Sequence, residues 1–355
     1  MRALILKVTS LGDIIHTLPA VTDASRAIPG IRFDWVVDET FAEIPSWHRS
    51  VDRVIVLGNR RWRKTPWSPL FNGELSRFIR ELRAVRYDVI IDVQGQLGKT
   101  IWIARLAHGT RCGFDWSSVR ERPASLFYHR RIPVPKGQHA VERNRQLFAQ
   151  ALGYPVPPGL GDHGIDRQEL FKVRIDSKRL VFLHGTSWRT KQWPVEYWEG
   201  LVRLAGEGGY RVLMTWGNEE ERARAEQLAG GRGHVTVRPK ASLAEFARDM
   251  ASAAGVVAVD TGLCHLAAAL GIPTVSMFGP TSTGLTGGYG GSQHYLEADF
   301  PCAPCLRKRC NYRGPSSVQP ACFEAITPQR VWDTLMSVLE AGKPICISTR
   351  SLGSS

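Results

Sequence analysis

Short apolar runs alternate along the chain with longer segments in which apolar residues recur every three or four positions. The run RALILKV precedes DIIHTLPAVTDASRAI, and further runs are RFDWVV, RVIVL and YDVIIDVQ, the last two separated by GELSRFIRELRAV. Continuous apolar runs are typical of strands buried on both faces of a parallel sheet, whereas the wider spacing predicts helices. The alternation therefore predicts βαβ units and an α/β fold.

The alternation stops at GYPVPPGLGDHGIDRQEL and then restarts. The second series has predicted strands RLVFLHG, YRVLMTWG, HVTV, GVVAVD and PTVSMFG, and predicted helices VEYWEGLVRLAGEG, EEERARAEQLA, SLAEFARDMASA and TGLCHLAAAL. Since a Pro- and Gly-rich stretch without periodicity indicates a linker, we expect two doubly wound domains. The predicted boundaries are an N-terminal domain at 1–160, a linker at 161–177, a second domain at 178–327, a closing helix at 328–342 and a disordered tail at 343–355.

Length and composition agree with two folded domains. The chain has 355 residues and a mean hydropathy of −0.18. No apolar stretch reaches the roughly 18 residues that a membrane span needs. Lys7 and Asp13 interrupt the apolar region that a signal peptide would require, so we expect a cytoplasmic protein.

Positive charge is concentrated in the first half of the chain. Residues 1–150 contain 24 Lys and Arg against 14 Asp and Glu, and the whole chain has a net charge of +13. Such a field attracts phosphates, nucleic acid or anionic lipid headgroups, although it also serves solubility alone. No helix-turn-helix, RNP-type strand or zinc-finger spacing is present, so we expect no nucleic-acid partner.

The stretch VTSLGDIIHTLP places an acid, Asp13, behind Gly12 where a strand turns into a helix. Glycine permits a tight turn, and a carboxylate there faces the positive end of the helix. Two interpretations remain open from the residues alone: Asp13 caps the helix, or it acts as a base in a cleft. His16, one turn further, is predicted to lie on the helix face rather than to bind a ligand.

Two loops of the second half carry candidate phosphate-binding groups. The loop LHGTSWRTKQWP offers Thr186, Ser187 and Lys191 after a strand, without the spacing of a P-loop. The segment VAVDTGLCHLAAALGIPTVSMFGPT has Asp260 at a strand end and then a helix opening with Thr261, Gly262 and His265. An acid there can bind sugar hydroxyls while the helix N-terminus faces a diphosphate; ordinary capping is the alternative for both loops.

Two further clusters of residues are candidate binding sites. RRWRK places Arg60, Arg61, Arg63 and Lys64 around a tryptophan, which suits either phosphate binding or a solvated loop. Four cysteines have the spacing C-x2-C-x4-C-x11-C; they are Cys302, Cys305, Cys310 and Cys322. A zinc site, a disulfide and a cluster of reduced thiols all remain open, with reduced thiols favoured in a reducing cytoplasm.

With these motifs in place, the chain resembles the bacterial lipopolysaccharide heptosyltransferases of glycosyltransferase family 9. The resemblance extends from Met1 to about Leu339, and its main stretches are SLGDIIHTLPA, AIPGIRFDWVV, RRWRK, GQHAVERNRQLF, LHGTSWRTKQWP, VDTGLCHLAAALGIPT and FGPT. It implies a GT-B fold, in which two Rossmann-like domains face each other across a cleft. It also implies inverting transfer of L-glycero-D-manno-heptose from ADP-heptose to the Kdo of Kdo2-lipid A, without a metal or other cofactor. The enzyme is then expected to work as a monomer, peripherally bound to the cytoplasmic face of the inner membrane.

The resemblance also assigns roles to residues. Asp13 matches the catalytic base. The positions matching the donor site are Thr186, Ser187, Lys191, Glu221, Asp260, Thr261, Gly262 and His265. The positions matching the acceptor side are Lys7, Arg60, Arg61, Arg63, Lys64 and Arg120.

One segment departs from the family pattern. Where the family has a motif close to QGLVKSA, this chain has QGQLGKT at 94–100, with a polar Gln96 and with Lys99 one position later. The departure leaves open a sibling transferase that uses another core acceptor or another nucleotide sugar. A binding module without turnover is a third interpretation, which Asp13 argues against because a module needs no base.

Overall fold

The computed structural model describes residues 1–64 and 72–341, so the predicted tail at 343–355 lies outside the described residues. Two six-stranded parallel sheets form the centre of the fold, which confirms the α/β prediction. The strands of the first sheet are β1 Arg2–Leu6, β2 Arg32–Asp38, β3 Val51–Leu57, β4 Val89–Asp92, β5 Thr110–Phe114 and β6 Arg130–Ile132. Their order is β3-β2-β1-β4-β5-β6.

The second sheet repeats this arrangement in the second half of the chain. Its strands are β7 Asp176–Leu183, β8 Arg211–Met214, β9 Val235–Val237, β10 Ala253–Val259, β11 Thr274–Phe278 and β12 Gln293–Glu297. Their order is β12-β11-β10-β7-β8-β9. The strand order reverses between β1 and β4 in the first sheet and between β7 and β10 in the second. At such a reversal a doubly wound sheet has a crevice in which ligands bind.

Helices cover the sheets and close their ends. In the first half they are α1 Leu11–Ile15, α2 Leu18–Ala27, α3 Glu43–Ser46, α4 Asn59–Lys64, α5 Glu74–Arg83, α6 Trp102–Leu106 and α7 Ala140–Leu152. In the second half they are α8 Arg167–Phe171, α9 Val195–Glu207, α10 Glu219–Ala229, α11 Leu243–Ala251, α12 Gly262–Ala269, α13 Thr283–Thr286 and α14 Pro328–Ala341. No helix within 1–64 and 72–341 is both long and apolar enough to cross a bilayer.

The central strands are apolar because both of their faces are covered. In β1, Leu4, Ile5 and Leu6 have no exposed surface, and Ile5 lies in register between Trp35 of β2 and Ile91 of β4. Burying each such side chain stabilises the fold by about 1.5–3 kcal/mol. The strand is therefore a rigid base for the turn that follows it.

One predicted helix is wrong in its length. The segment DIIHTLPAVTDASRAI was expected to form a single helix, but the structure has α1 ending at Ile15 and α2 beginning at Leu18. Pro19 is the cause, because proline has no N–H to donate and its ring clashes with the carbonyl four residues earlier. The break leaves α1 as a short helix attached to the end of β1.

The chain is tied firmly to the first domain just before the predicted linker. The linker contains the short helix α8, and ahead of it the carbonyls of Pro157 and Gly159 accept hydrogen bonds from Arg145 at 2.9 and 2.8 Å. The Arg145 guanidinium is 2% exposed and also donates to Asp23 at 2.6 Å. Since a buried charge is stable only when it is paired, this arginine fixes the path by which the chain leaves the first domain.

The two domains meet along a seam of aromatic rings and histidines. The ring of His16 lies 4.5 Å from that of His265 and 5.2 Å from that of His139. His139 Nε2 lies 3.1 Å from the carbonyl oxygen of Gly287, across the seam. Burial lowers the pKa of His265 to about 4 and also lowers the pKa of His16 and His139. These rings are therefore neutral at neutral pH and pack without mutual repulsion.

Gly12, inside α1, lies against His265 of the second domain. A β-carbon at this position would lie 2.5 Å from Cδ2 of His265, which is far inside van der Waals contact. Gly12 has no left-handed backbone angle, so its lack of a side chain is needed for the contact and not for the turn. The domains can approach this closely only because residue 12 is glycine.

Adding a methyl group at residue 12 tests the contact between Gly12 and His265. Gly12→Ala should destabilise the protein by about 1–3 kcal/mol, because the added methyl group overpacks the seam. Gly98→Ala is the matched control, since a β-carbon there meets nothing within 4 Å. Urea unfolding of both variants checks this; equal stability of the two would contradict the role given to Gly12.

Candidate active site

A cleft of about 740 Å³ opens between the domains at the carboxyl ends of both sheets. One wall is the turn after β1 together with α1, and it presents Ser10, Asp13 and His16. The other wall belongs to the second domain, and its lining includes Thr186, Ser187, Arg189, Lys191, Trp216, Asn218, Glu221, Asp260, Thr261, Gly262 and His265. Every predicted donor residue is therefore in the cleft, facing Asp13.

Asp13 is the third residue of α1. Its Oδ2 accepts hydrogen bonds from the backbone N–H and the hydroxyl of Ser10, at 2.9 and 2.8 Å. Ser10 is therefore the cap residue, and Asp13 completes a capping box, so the interpretation of Asp13 itself as the N-cap is wrong. The side chain remains 38% exposed and lines the cleft, so the carboxylate is partly open to it.

A buried lysine lies directly behind this carboxylate. Lys7 Nζ is 3.5 Å from Asp13 Oδ1, and the Lys7 side chain is only 8% exposed. Burial alone raises the pKa of Asp13, but the Lys7 ammonium and the two Ser10 donors outweigh it and hold the pKa below its usual value. Asp13 is therefore an ionised acceptor of protons throughout the physiological range.

The segment at 94–100, whose sequence differs from the family pattern, contacts the turn that carries Asp13. Gln94 Oε1 accepts hydrogen bonds from the backbone N–H groups of Val8 and Thr9, both at 3.2 Å. Lys99 Nζ donates to Thr9 Oγ1 at 3.1 Å. Lys99, one of the residues that depart from the family pattern, thus contacts the turn that carries Asp13.

Asp260 organises the opposite wall. It is 6% exposed, and its Oδ2 accepts from Lys191 Nζ at 2.7 Å and from Thr281 Oγ1 at 2.6 Å. Its backbone carbonyl accepts from Thr186 Oγ1 at 2.9 Å. These bonds join three separate loops, those after β7, β10 and β11, into one rigid surface.

Helix α12 follows directly and points its N-terminus into the cleft. Among the described residues no side chain caps it at Thr261, so the N–H groups of its first turn can bind an anion. Lys191 stands beside this turn through its ion pair with Asp260. An ammonium and a helix N-terminus together form a surface suited to a diphosphate.

The far end of the cleft is built around Glu221 at the start of α10. Its Oε2 accepts from the backbone N–H of Gly217 at 2.7 Å. A β-carbon on Gly185 would lie 2.6 Å from its carboxyl carbon, so the Glu221 carboxylate lies directly over this glycine. Trp216 and Asn218 also line this end of the cleft and were not among the predicted residues; their place just after β8 is the signal that indicates them.

The predicted acceptor residues are not in the cleft. Arg60, Arg61 and Lys64 belong to α4, which is a helix and not a loop, and the Arg63 side chain lies outside what the structure describes. Arg61 forms ion pairs with Glu39 at 3.1 Å and Glu74 at 2.7 Å. These partners hold the basic segment against the first domain.

The other two predicted acceptor residues, Arg120 and Lys7, do not line the cleft either. Arg120 is exposed and does not line the cleft described here. Lys7 is near the site, but it is buried beneath Asp13. Its ion pair is therefore with the Asp13 carboxylate.

The cysteine loop forms a separate cavity of about 400 Å³ that all four clustered cysteines line. In residues 1–64 and 72–341 all six cysteines are free thiols, without a disulfide. Within the same residues no three His, Cys, Asp or Glu side chains are arranged to hold a metal ion. Burial and the nearby thiols raise the pKa of Cys322 to about 12, which disfavours its thiolate.

Comparisons with known proteins agree with this site. The family model "Glycosyltransferase family 9 (heptosyltransferase)" matches residues 75–314. A lipopolysaccharide heptosyltransferase 1 from Pseudomonas aeruginosa is 53% identical over 351 residues, covering 96% of this chain and 99% of its own.

Solved structures give the same result. Escherichia coli heptosyltransferase WaaC with ADP is 43% identical, with a TM-score of 0.85 over 95% of this chain and 100% of its own. The same enzyme with ADP-2-deoxy-2-fluoro heptose is 42% identical, with a TM-score of 0.80 over 95% of this chain and 99% of its own. The expected GT-B arrangement of two facing domains is thereby confirmed, and the chain is a member of glycosyltransferase family 9, the heptosyltransferases.

Proposed function

We propose that this enzyme transfers L-glycero-D-manno-heptose from ADP-heptose to the Kdo of Kdo2-lipid A, with inversion and without a metal ion. The observation on which this rests is the pairing of Asp13, ionised and partly open, with the Lys191–Asp260 surface across one cleft. The names of the relatives, lipopolysaccharide heptosyltransferase 1, support the sugar and the pathway.

ADP-heptose binds along the cleft wall that the second domain forms. The adenosine part occupies the Glu221 end, and the diphosphate lies between Lys191 and the N-terminus of α12. Thr186 and Ser187 supply hydroxyl donors along the same wall. A relative solved with a fluorinated ADP-heptose supports this class of donor.

The reaction is a single displacement. Asp13 accepts the proton of the acceptor hydroxyl while that oxygen attacks the anomeric carbon from the face opposite the departing ADP. The carbon–oxygen bond to the diphosphate breaks, and Lys191 with the first turn of α12 stabilises the negative charge that develops there. Attack from the opposite face inverts the anomeric centre.

The acceptor approaches from the first domain. The excess of Lys and Arg in residues 1–150 attracts an anionic, lipid-linked sugar. Arg60, Arg61, Arg63, Lys64 and Arg120 contact its phosphates at a distance from the reacting hydroxyl. The enzyme acts as a monomer on the cytoplasmic face of the inner membrane, to which it binds peripherally.

A sibling heptosyltransferase with another core acceptor is the second candidate. The observation in its favour is the 94–100 segment, where Lys99 contacts Thr9 on the turn that carries Asp13. A change at this place alters the surface beside the base, where the acceptor sugar binds.

The main experiment measures ADP release from ADP-heptose with Kdo2-lipid A and, separately, with a heptosylated core. Release with Kdo2-lipid A alone supports the first proposal, and release with the heptosylated core alone moves the assignment to the sibling enzyme. Failure with both acceptors would refute the proposed transfer.

Asp13→Asn should lower turnover by about 10²–10⁴-fold, because the amide cannot accept the hydroxyl proton. The shape of the side chain is kept, so ADP affinity measured by calorimetry should not change. Turnover within threefold of wild type would remove Asp13 from the role of base.

Lys7→Met should move the acid limb of the kcat/KM–pH profile to higher pH. The base works only when ionised, and without the ammonium the burial of Asp13 raises its pKa. Lys7→Arg retains the charge and serves as the control. An acid limb that stays in place in Lys7→Met would show that Lys7 does not tune the base.

A further inference from the structure

An unusually basic segment follows the second sheet. Between Phe300 and Pro320 the sequence has four cations and no Asp or Glu. We call residues 301–313 the basic tongue; its cations are Arg307, Lys308, Arg309 and Arg313, and all four are exposed. Neither the catalytic cleft nor the predicted acceptor residues include them.

The tongue has a fixed position although it contains neither helix nor strand. The Leu306 N–H donates to the Pro280 carbonyl at 2.8 Å, and Thr190 Oγ1 donates to the Arg307 carbonyl at 2.6 Å. Phe300 and Tyr312 pack edge to face at 5.0 Å across the base of the tongue. The backbone that carries the four cations is therefore held against the second domain.

The tongue adjoins the donor loop of the active site. Lys308 Nζ lies 5.7 Å from the ring of Trp188, and Lys191 Nζ lies 4.6 Å from the same ring. A cavity of about 610 Å³ lies between Arg189 and Arg309, and Arg189 also lines the catalytic cleft. Two guanidinium groups on one cavity suit a phosphate group.

An exposed leucine accompanies these cations. Leu306 is 60% exposed, and it immediately precedes Arg307, Lys308 and Arg309 in the sequence. Cations beside an exposed apolar side chain are typical of surfaces that rest on anionic bilayers, where the cations meet phosphates and the apolar group enters the interface. No acidic side chain in the tongue weakens this attraction.

We propose that the basic tongue is a docking surface for an anionic, phosphate-bearing bilayer and seats the donor domain on the membrane beside the active site. Arg309 and Arg189 bind a headgroup phosphate, Lys308 adds charge, and Leu306 enters the interface. The inference rests on the proposed function, in which the acceptor is embedded in a lipid layer. It adds a membrane contact on the second domain to the attraction expected from the basic first domain.

The test measures binding of the full chain to vesicles of phosphatidylglycerol and phosphatidylethanolamine by co-sedimentation, without donor or acceptor. Each cation near an anionic surface contributes to binding, so Lys308→Gln with Arg309→Gln and Leu306→Ser should weaken it about tenfold. Wild-type binding should fall as salt rises. Melting temperature and ADP affinity, both unchanged, establish that the variant is folded.

A matched control changes residues that directly follow helix α8. Lys172→Gln with Arg174→Gln and Ile175→Ser also removes two exposed cations and one apolar side chain that is 43% exposed, and it should leave vesicle binding unchanged. Equal loss in both triple variants, no loss in the tongue variant, or equal binding of wild type to neutral phosphatidylcholine would each overturn the proposal.

An activity measurement separates the membrane from the acceptor itself. The tongue variant should be slower than wild type on acceptor embedded in vesicles and equal to it on deacylated, water-soluble acceptor. Equal loss on both acceptors would mean that the tongue holds the acceptor's own phosphates, against the proposal. Since vesicle binding needs no transfer, failure of the proposed function would appear separately, as absence of ADP release in wild type.

Discussion

The approach of Gly12 to the ring of His265 is the contact on which the active site depends. Each residue lies in the helix that follows a central strand, Gly12 after β1 and His265 after β10. The walls that carry Asp13 and Asp260 are brought together at this point. Neutral, buried histidines complete the contact without placing like charges in the seam.

The two walls use the same pair of residue types for different purposes. Asp13 with Lys7 and Asp260 with Lys191 are both Asp–Lys pairs, but Asp13 is 38% exposed and the Asp260 side chain is 8% exposed. Asp260 is enclosed by Lys191 and Thr281 and so fixes the loops of its wall. Asp13 is supported from behind and partly open to the cleft, as the proposed base must be. Burial, and not residue type, distinguishes this partly open carboxylate from the enclosed one.

Much of the fold could be predicted because the central strands are buried on both faces and must be apolar. The strands β5, β6 and β12 were missed, since the sequences TRCGF, RRI and QHYLE carry polar side chains and give no long apolar run. The residues predicted for the donor site line the cleft because they follow strand ends, and this position could be predicted. The place of Lys7 beneath Asp13, and the ion pairs that hold Arg61 in a helix, depend on partners that only the folded chain brings near.

The basic tongue is joined to the rest of the domain through the main chain. Its attachments use the Leu306 N–H and the Arg307 carbonyl, and neither group changes when a side chain is replaced. Substitutions at Lys308, Arg309 or Arg313 therefore leave these attachments intact. The tongue is for this reason a segment whose surface can diversify, or be redesigned for another lipid composition, while the sugar-transferring machinery stays the same.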